Sequence, residues 1–323
     1  MYKPHDMKNI ALLFGGFTGE AEISRKSAVT IKNNLTIGRV IEIEVSRDAW
    51  IAKFQDGDSV ELNKNNFTVV HKGEEIHFDF VFNMIHGSPG EDGRIASYLD
   101  MINIPYSSSG HLSSALTASK GYCSQFLGGQ GFPVAKSKIV GSKNEGIDEL
   151  NLPVFVKPNG GGSSIATVKV EEMSALPKAI EEALIHDKEV LVEEFISGRE
   201  FTCGVAEWEG EIQALQVTEI ICESEFFDYK EKYSEDGAKE FTPAEISKEL
   251  ENRIKDYSER IFKSLDLKNM ARIDFLGGED KLTVLEVNTI PGFSPTSILP
   301  QQLKAHGINM TSFLDQMVLR SVK

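Results

Sequence analysis

Two short apolar segments near the C-terminus carry polar residues at every second position. In the first, Arg272 and Asp274 alternate with apolar residues, and Glu286 and Asn288 repeat this arrangement in the second. Because residues two apart in a β-strand share a face, each pair would point to one side of a sheet. If the two strands pair, two carboxylates, an amide and a guanidinium converge on one small patch.

This patch has two interpretations. Carboxylates that lie so close together repel one another unless a cation sits between them, and an all-oxygen site suits Mg²⁺. A hairpin with a polar, solvated face produces the same pattern. The acidic Gly-Gly turn at residues 277–280 fits both interpretations.

Length and charge limit the classes of function. A chain of 323 residues is too long for one ordinary core and predicts two or three domains. Its 49 acidic and 34 basic residues give a net charge of −15. We expect no nucleic-acid partner, because nonspecific nucleic-acid binding needs a basic surface. A nucleotide ligand would need a few local cations.

Cysteine usage and hydropathy predict a cytoplasmic protein. Cys123, Cys203 and Cys222 show neither paired nor metal-ligand spacing, which favours buried thiols in a reducing compartment. The apolar run at residues 10–14 ends in Gly-Gly rather than in a cleavage site. No stretch approaches the roughly 18 apolar residues of a membrane span, so we expect no membrane association.

The first part of the chain alternates strands with a helix. Predicted strands cover residues 9–14, 41–45 and 78–85, an order that is typical of a small α/β domain with a parallel sheet. A nicotinamide-dependent dehydrogenase is an alternative. However, residues 15–19 read Gly-Gly-Phe-Thr-Gly and lack the G-x-G-x-x-G spacing of the dinucleotide fingerprint.

Two further units follow. The predicted elements of the second are strands 154–157, 167–170 and 190–196 and a helix at 176–184. The third begins near residue 200 and contains a long amphipathic helix. Its predicted start is a capping box with Thr242 as N-cap, Pro243 at N1 and Glu245 at N3.

A glycine-rich loop joins two strands of the second unit. Residues 157–164 read Lys-Pro-Asn-Gly-Gly-Gly-Ser-Ser. The glycines let backbone N–H groups approach an anion, and the lysine and serines add a positive charge and donors. The order is not that of a Walker P-loop, and an ordinary hairpin tip has a similar composition.

Together these segments resemble the ATP-grasp superfamily and, within it, the D-alanine–D-alanine ligase family, over essentially the whole chain. The similar motifs are residues 15–16 with 20–24, the acidic His-Gly loop 86–93, the glycine loop 157–164, the acidic pair 193–194, residues 198–202, the ω-loop 227–233, and residues 272–274 and 286–292. They occur in the family's order, which favours the metal site over the solvated hairpin.

The resemblance implies an α/β fold with α+β elements in three domains. These are an N-terminal α/β domain (residues 1–110), a central ATP-grasp subdomain (111–196) and a C-terminal subdomain with the ω-loop and the metal site (197–323). ATP would be clamped between the last two. The implied protein is a cytoplasmic, homodimeric, ADP-forming ligase, whose partners are ATP and D-alanine and whose product serves peptidoglycan synthesis.

The resemblance also assigns roles to residues around ATP. The phosphates would be bound by Lys120, Lys157, Ser163, Ser164 and Lys232. Adenine and ribose would be bound by Glu193, Glu200 and the backbone at Glu194, Phe195 and Ile196. Two Mg²⁺ ions, replaceable by Mn²⁺, would be held by Asp274, Glu286 and Asn288.

A second group would act on the amino acids. Glu20 would bind the first ammonium group, and Ser297 would bind the second carboxylate. His86 would bind substrate from the acidic His-Gly loop 86–93, hereafter the substrate loop. Glu20 would also form a triad with Ser163 and Tyr233 that closes the ω-loop and protects an acyl phosphate from water.

Arg272 and the Gly292 N–H would stabilise the tetrahedral oxyanion, and Lys232 would steady the transferred phosphoryl group. Simpler interpretations stay open: His86 as a packed histidine, Ser163 as a turn residue and Lys120 as a surface lysine. For Glu91, the simpler interpretation is that it only orients His86.

Two departures from the family pattern affect the expected function. Glu194 stands where a lysine is common, and residues 294–296 differ from the usual run before Ser297. The alternatives are a ligase that joins D-alanine to D-lactate or D-serine, and a non-catalytic nucleotide-binding module. Lys232 and Tyr233 in the ω-loop favour D-alanine over D-lactate as the second substrate.

Overall fold

The structure of this chain is a computed structural model that describes residues 9–141, 147–162, 166–221 and 239–322, apart from the side chain of Asp148. The strands are β1 (Asn9–Gly15), β2 (Arg39–Val45), β3 (Trp50–Lys53), β4 (Ser59–Glu61), β5 (Thr68–His71), β6 (Glu74–His77), β7 (Phe80–Asn83), β8 (Ser137–Val140), β9 (Val154–Pro158), β10 (Val168–Val170), β11 (Val190–Glu194), β12 (Arg199–Trp208), β13 (Glu211–Ile221), β14 (Lys239–Phe241), β15 (Met270–Gly277) and β16 (Leu282–Asn288). The helices are α1 (Ala21–Asn34), α2 (Arg94–Met101), α3 (His111–Ala118), α4 (Lys120–Gly129), α5 (Leu176–Leu184), α6 (Lys248–Ser264), α7 (Ile298–His306) and α8 (Met310–Ser321).

The first sheet has the strand order β4-β3-β2-β1-β7, with β1 parallel to both β2 and β7. Residues 10–14 of β1 are buried, as expected for a central parallel strand with both faces covered. The predicted parallel pairing of these three strands is confirmed, but β3 and β4 add an antiparallel edge that makes the sheet mixed. Strand β7 is also shorter than the predicted strand 78–85. At its end, Ile85 N–H donates to the Asn83 side chain at 3.2 Å, so the backbone turns away towards His86.

The second sheet is antiparallel, with the order β10-β9-β11-β8. Helix α5 packs on it through Leu176, Ile180 and Ala183. Strand β11 ends at Glu194, two residues before the predicted end. The sheet carries Lys157 at the end of β9, immediately before the glycine loop.

The third sheet has the order β14-β13-β12-β15-β16. Helix α6 covers one face through Leu250, Ile254 and Ile261. A separate apolar core joins this unit to the first sheet, because Phe82 of β7 belongs to the same buried cluster as Phe293, which precedes α7. This shared core fixes the loops of the first sheet against the end of β16.

The predicted start of the long helix is wrong. Helix α6 begins after Ser247, whose Oγ accepts a hydrogen bond from Leu250 N–H at 3.1 Å. The Thr242 hydroxyl instead pairs with that of Thr218 at 2.6 Å. The backbone continues beside β13, since Ala244 N–H donates to Val217 O at 2.8 Å. Pairing with the sheet therefore outweighs the local capping pattern.

Two further expectations concern the thiols and the membrane. Cys123 and Cys203 are buried, free thiols, as predicted, and Cys222 lies outside the described residues. Within the described ranges, no helix has the length and apolar character that crossing a membrane requires.

Candidate active site

Strands β15 and β16 bring the four alternating polar residues together, as predicted. Their register sets Asp274 opposite Glu286 and Arg272 opposite Asn288. Arg272 donates through Nε and Nη2 to the two oxygens of Asp274 at 2.9 and 2.8 Å. Asn288 Nδ2 lies 3.1 Å from Asp274 Oδ2 and 3.4 Å from Glu286 Oε1. Because Asp274 is buried and the other three residues are partly buried, this face is more enclosed than a fully solvated hairpin face.

The donor set of this patch fits a magnesium ion. Asp274 and Glu286 could supply carboxylate oxygens. Asn288 uses its NH₂ group within the patch, so its Oδ1 would be the atom that faces an ion. Thr202 of β12 donates its hydroxyl to Asp274 Oδ1 at 2.5 Å and holds that carboxylate in place. Such supporting hydrogen bonds orient metal ligands in other proteins.

The charge of Arg272 is fixed by its neighbours. Burial disfavours the guanidinium charge, but Asp274, Glu286 and Glu200 outweigh this effect and raise the pKa of Arg272 above its usual range. Arg272 therefore stays cationic, as a group that stabilises an oxyanion must.

A second group of possible metal ligands lies in the N-terminal unit. Asp56, Asp58 and His71 place one ligand atom each within 4.8 Å of one another. The Lys72 ammonium contacts both carboxylates. Since both aspartates are exposed and already face a cation, a surface ion-pair network explains this group.

The glycine loop contacts the metal patch through Lys120. The Lys120 backbone N–H donates to Asn159 O at 2.9 Å, and the Lys120 Nζ donates to Gly161 O at 2.6 Å. The same Nζ lies 3.5 Å from Glu286 Oε2. Lys120 is thus not a free surface lysine. It joins the loop proposed for phosphate to the carboxylates proposed for metal.

Lys157 is engaged with a second predicted ATP ligand. Its Nζ donates to Glu193 Oε1 at 2.5 Å, and both side chains are buried. Lys157 pairs with Leu191 in the ladder, so Glu193 is its diagonal neighbour on the same face.

The segment proposed to read adenine uses some of its backbone donors internally. Glu194 N–H donates to Lys136 O and Phe195 N–H donates to Pro153 O, both at 2.9 Å. The Glu194 carboxylate accepts two hydrogen bonds from Asn151. These two bonds engage the Glu194 carboxylate within the protein. The residue that stands where a lysine is common is therefore not directed at a ligand.

Glu20 lies where two backbone segments approach it closely. A Cβ at Gly162 would lie 2.6 Å from Glu20 Oε1, and one at Gly87 would lie 2.8 Å from Oε2. Gly87 also has a φ of +67°, which glycine adopts without strain. The predicted ammonium ligand is therefore in contact with both the substrate loop and the glycine loop.

His86 is buried and neutral at pH 7. Its Nε2 lies 3.1 Å from Ser27 Oγ, and burial lowers its pKa to about 4. Glu91 does not bond the His86 ring directly but accepts hydrogen bonds from Gly87 N–H at 2.6 Å and Ile290 N–H at 3.4 Å, so it holds the backbone next to His86. Burial raises the pKa of Glu91 to about 7.

Ser297 lies beside Gly292. It is the N-cap residue of α7, and its Oγ accepts a hydrogen bond from Ser294 N–H at 3.0 Å. A Cβ at Gly292 would lie 3.0 Å from this Oγ. The structure thus places the predicted ligand of the second carboxylate next to the predicted oxyanion donor.

Some predicted site residues lie outside the described part of the chain. They are Ser163, Ser164, Lys232 and Tyr233, together with the rest of the ω-loop 227–233. Their roles, including the triad with Glu20, stay predictions.

Two residues at the site were not predicted. Thr202 follows Glu200 at the same two-residue spacing that relates the polar residues of β15 and β16. Applying that alternation to β12 as well would have predicted Thr202 at the site. Ser27 lies on a buried face of α1, and a polar residue among the buried positions of a helix was its available signal.

The chain matches known proteins over most of its length. The family described as D-ala D-ala ligase N-terminus matches residues 9–109, and the family described as D-ala D-ala ligase C-terminus matches residues 132–319. The chain is 39% identical over 321 residues to a D-alanine–D-alanine ligase of Azobacteroides pseudotrichonymphae, covering 97% of this chain and 99% of the relative.

Solved structures agree with these matches. D-alanyl-alanine synthetase A from Vibrio cholerae has a TM-score of 0.88 and 30% identity, with 98% of both chains covered. The VanG D-Ala:D-Ser ligase from Enterococcus faecalis has a TM-score of 0.85 and 32% identity, covering 97% of this chain and 99% of that one. A D-alanine–D-alanine ligase from Bacillus anthracis complexed with ATP has a TM-score of 0.76 and 26% identity, covering 98% and 97%. This chain therefore belongs to the D-alanine–D-alanine ligase family and has its ATP-grasp fold.

Proposed function

We propose that this chain uses ATP and Mg²⁺ to join two D-alanines into D-alanyl-D-alanine for peptidoglycan synthesis, through an acyl phosphate. The observation that carries the proposal is the contact of Lys120 with both Gly161 and Glu286. This contact makes the glycine loop and the oxygen-ligand patch one continuous site. The ATP held by the Bacillus anthracis relative supports the same nucleotide here.

The residues of this chain would divide the chemistry among them. Lys120 and Lys157 would neutralise ATP phosphates, which a chain with a net charge of −15 does not attract through its overall field. Asp274, Glu286 and Asn288 would hold two Mg²⁺ ions, which when bound lower the charge on the phosphates.

The reaction would run in two displacements. The carboxylate of the first D-alanine, whose ammonium is bound by Glu20, attacks the γ-phosphoryl group, and ADP leaves. The deprotonated amine of the second D-alanine attacks the resulting carbonyl, and phosphate leaves as the peptide bond forms. Arg272 and the Gly292 N–H stabilise the oxyanion between these two events.

The second substrate has one supported alternative. The VanG relative is a D-Ala:D-Ser ligase, and residues 294–296 of this chain depart from the usual run before Ser297. D-Serine is therefore the second candidate. D-Lactate is less favoured, because Lys232 and Tyr233 are the ω-loop residues of dipeptide-forming relatives.

The domain boundaries and the assembly are also proposals. The three large sheets and the two-stranded sheet β5-β6 support boundaries near residues 110 and 196, since each sheet falls within one of the predicted ranges. The homodimer and the cytoplasmic location follow from the resemblance.

The test is an assay of the purified chain with ATP, Mg²⁺ and a panel of D- and L-amino acids. We expect phosphate release that requires D-alanine, together with D-alanyl-D-alanine among the products. Phosphate release that no amino acid stimulates, or ATP binding without turnover, would contradict the proposal and favour a nucleotide-binding module.

A further inference from the structure

The segment 290–293 follows β16 and contains Gly292, the proposed oxyanion donor. Ile290 N–H donates to Glu91 Oε1 at 3.4 Å, and Phe293 N–H donates to Ser27 Oγ at 3.0 Å. Pro291 has no N–H. No described residue accepts a hydrogen bond from Gly292 N–H, so within this segment it is the amide available to a ligand.

Ser27 connects this segment to His86. Ser27 is fully buried on α1, and its Oγ lies 3.1 Å from His86 Nε2. A hydrogen bond with the backbone of Ile290 raises the pKa of His86, so the imidazole lies between Ser27 and Ile290.

The hydrogen bonds therefore connect both ends of the segment. Phe293 N–H donates to Ser27 Oγ, Ser27 Oγ shares a hydrogen bond with His86 Nε2, and the imidazole is bonded to the backbone of Ile290. Each polar group in this hydrogen-bonded series is buried. Removing one partner therefore leaves an unsatisfied buried group, which is costly. The N-terminal unit, through α1 and the substrate loop, holds the backbone on both sides of Gly292.

We propose that Ser27 is a positioning residue, which fixes segment 290–293 through Phe293 and His86 and thereby aims the Gly292 N–H at the reacting carbonyl. The inference rests on the proposed function, because the oxyanion exists only if ligation occurs. It makes His86 a positioning residue too, since its Nε2 is bonded to Ser27 within the protein.

The size of the effect follows from how an oxyanion donor acts. Such a donor must lie about 2.7–3.1 Å from the oxygen on which charge develops, and its removal costs about 10²–10³ in kcat. Ser27→Ala leaves the Gly292 N–H present but loosens both of its flanks. We therefore expect an intermediate loss, of about tenfold, in the step that forms the tetrahedral centre.

The experiment compares Ser27→Ala with Ser258→Ala in the full chain. Ser258 is a matched control, because it is also fully buried on a helix and its hydroxyl donates to Ile254 O at 2.8 Å, away from segment 290–293. The measurements are kcat, KM for ATP and D-alanine, the melting temperature, and the affinity of a phosphinate dipeptide that imitates the tetrahedral centre.

For Ser27→Ala we expect kcat and the affinity of the phosphinate to fall by a similar factor, while KM for ATP stays unchanged. Ser258→Ala should lose stability but keep both quantities. If Ser27→Ala does not fold, Ser27→Cys keeps the side-chain size with a weaker acceptor and should show the same paired losses, at smaller size.

Two outcomes are distinguishable failures. A Ser27 variant that is less stable but keeps wild-type kcat and phosphinate affinity would show that Ser27 only packs, and would overturn this inference alone. A wild-type chain that makes no dipeptide would overturn the proposed function, whatever the variants do.

Discussion

Lys157 Nζ and Glu193 Oε1 lie 2.5 Å apart on neighbouring antiparallel strands, with both side chains buried. Breaking a buried ion pair by removing one partner is more damaging than the pair is stabilising, because it leaves an uncompensated charge. Lys157 is therefore more than a phosphate ligand, and substitutions there have two separable effects.

Replacing Lys157 with Met should weaken ATP binding and also destabilise the fold. The unpaired Glu193 carboxylate should lower the free energy of unfolding by about 3–5 kcal/mol. Adding Glu193→Gln should restore most of this stability but not the affinity for ATP. Urea denaturation and calorimetry with ATP measure the two effects. Unchanged ATP affinity in Lys157→Met would contradict the phosphate role, and unchanged stability would contradict the structural one.

Glu286→Gln should lower turnover by orders of magnitude, because a catalytic metal contributes several kcal/mol to the transition state. Stability should change little, since Glu286 is only half-buried. Glu279→Gln, on the exposed turn between β15 and β16, is the matched control and should keep wild-type turnover. Near-normal turnover of Glu286→Gln at limiting Mg²⁺ would remove Glu286 from the metal site.

The pKa of Glu91, raised from 4.5 to about 7 by burial, makes stability depend on pH. Between these values the folded chain holds a proton that the unfolded chain has released, so stability falls as pH rises, by up to about 3 kcal/mol. Glu91→Gln should abolish this component in urea denaturation at pH 4.5 to 7. An unchanged pH slope in the variant would show that folding does not raise the pKa of Glu91.

His86 acts in the opposite direction. Burial lowers its pKa from 6.5 to about 4, so the unfolded chain binds the extra proton between these values and stability is lost as pH falls. The pH-dependent contributions of Glu91 and His86 to stability therefore partly cancel in the wild-type chain. The difference between wild type and Glu91→Gln isolates the carboxyl group.

The start of α6 can be tested independently of the proposed function. Ser247→Ala should lower the free energy of unfolding by about 1 kcal/mol, because its Oγ caps Leu250 N–H. Glu245→Ala, at the N3 position of the capping box predicted from sequence, should have almost no effect, since Glu245 is exposed and lies before the helix. A larger loss of stability in Glu245→Ala than in Ser247→Ala would instead support the helix start predicted from the sequence.

These comparisons show what the sequence could predict. The metal patch was predictable, because the period-two pattern fixes the face of each residue and only a short turn separates β15 from β16. The capping box failed because its signal is local, whereas the pairing of β14 with β13 is not. The bond between Ser27 and Phe293 joins residues 266 positions apart, and no local pattern encodes such a distance.

The most direct measurement supplies the purified chain with ATP, Mg²⁺ and labelled D-alanine, together with equal amounts of D-serine and D-lactate, and separates the products. We expect D-alanyl-D-alanine as the main product at neutral pH, in an amount that matches the phosphate released. D-Alanyl-D-serine or the D-lactate depsipeptide formed as efficiently as D-alanyl-D-alanine, or ATP consumed without any ligated product, would contradict the assignment.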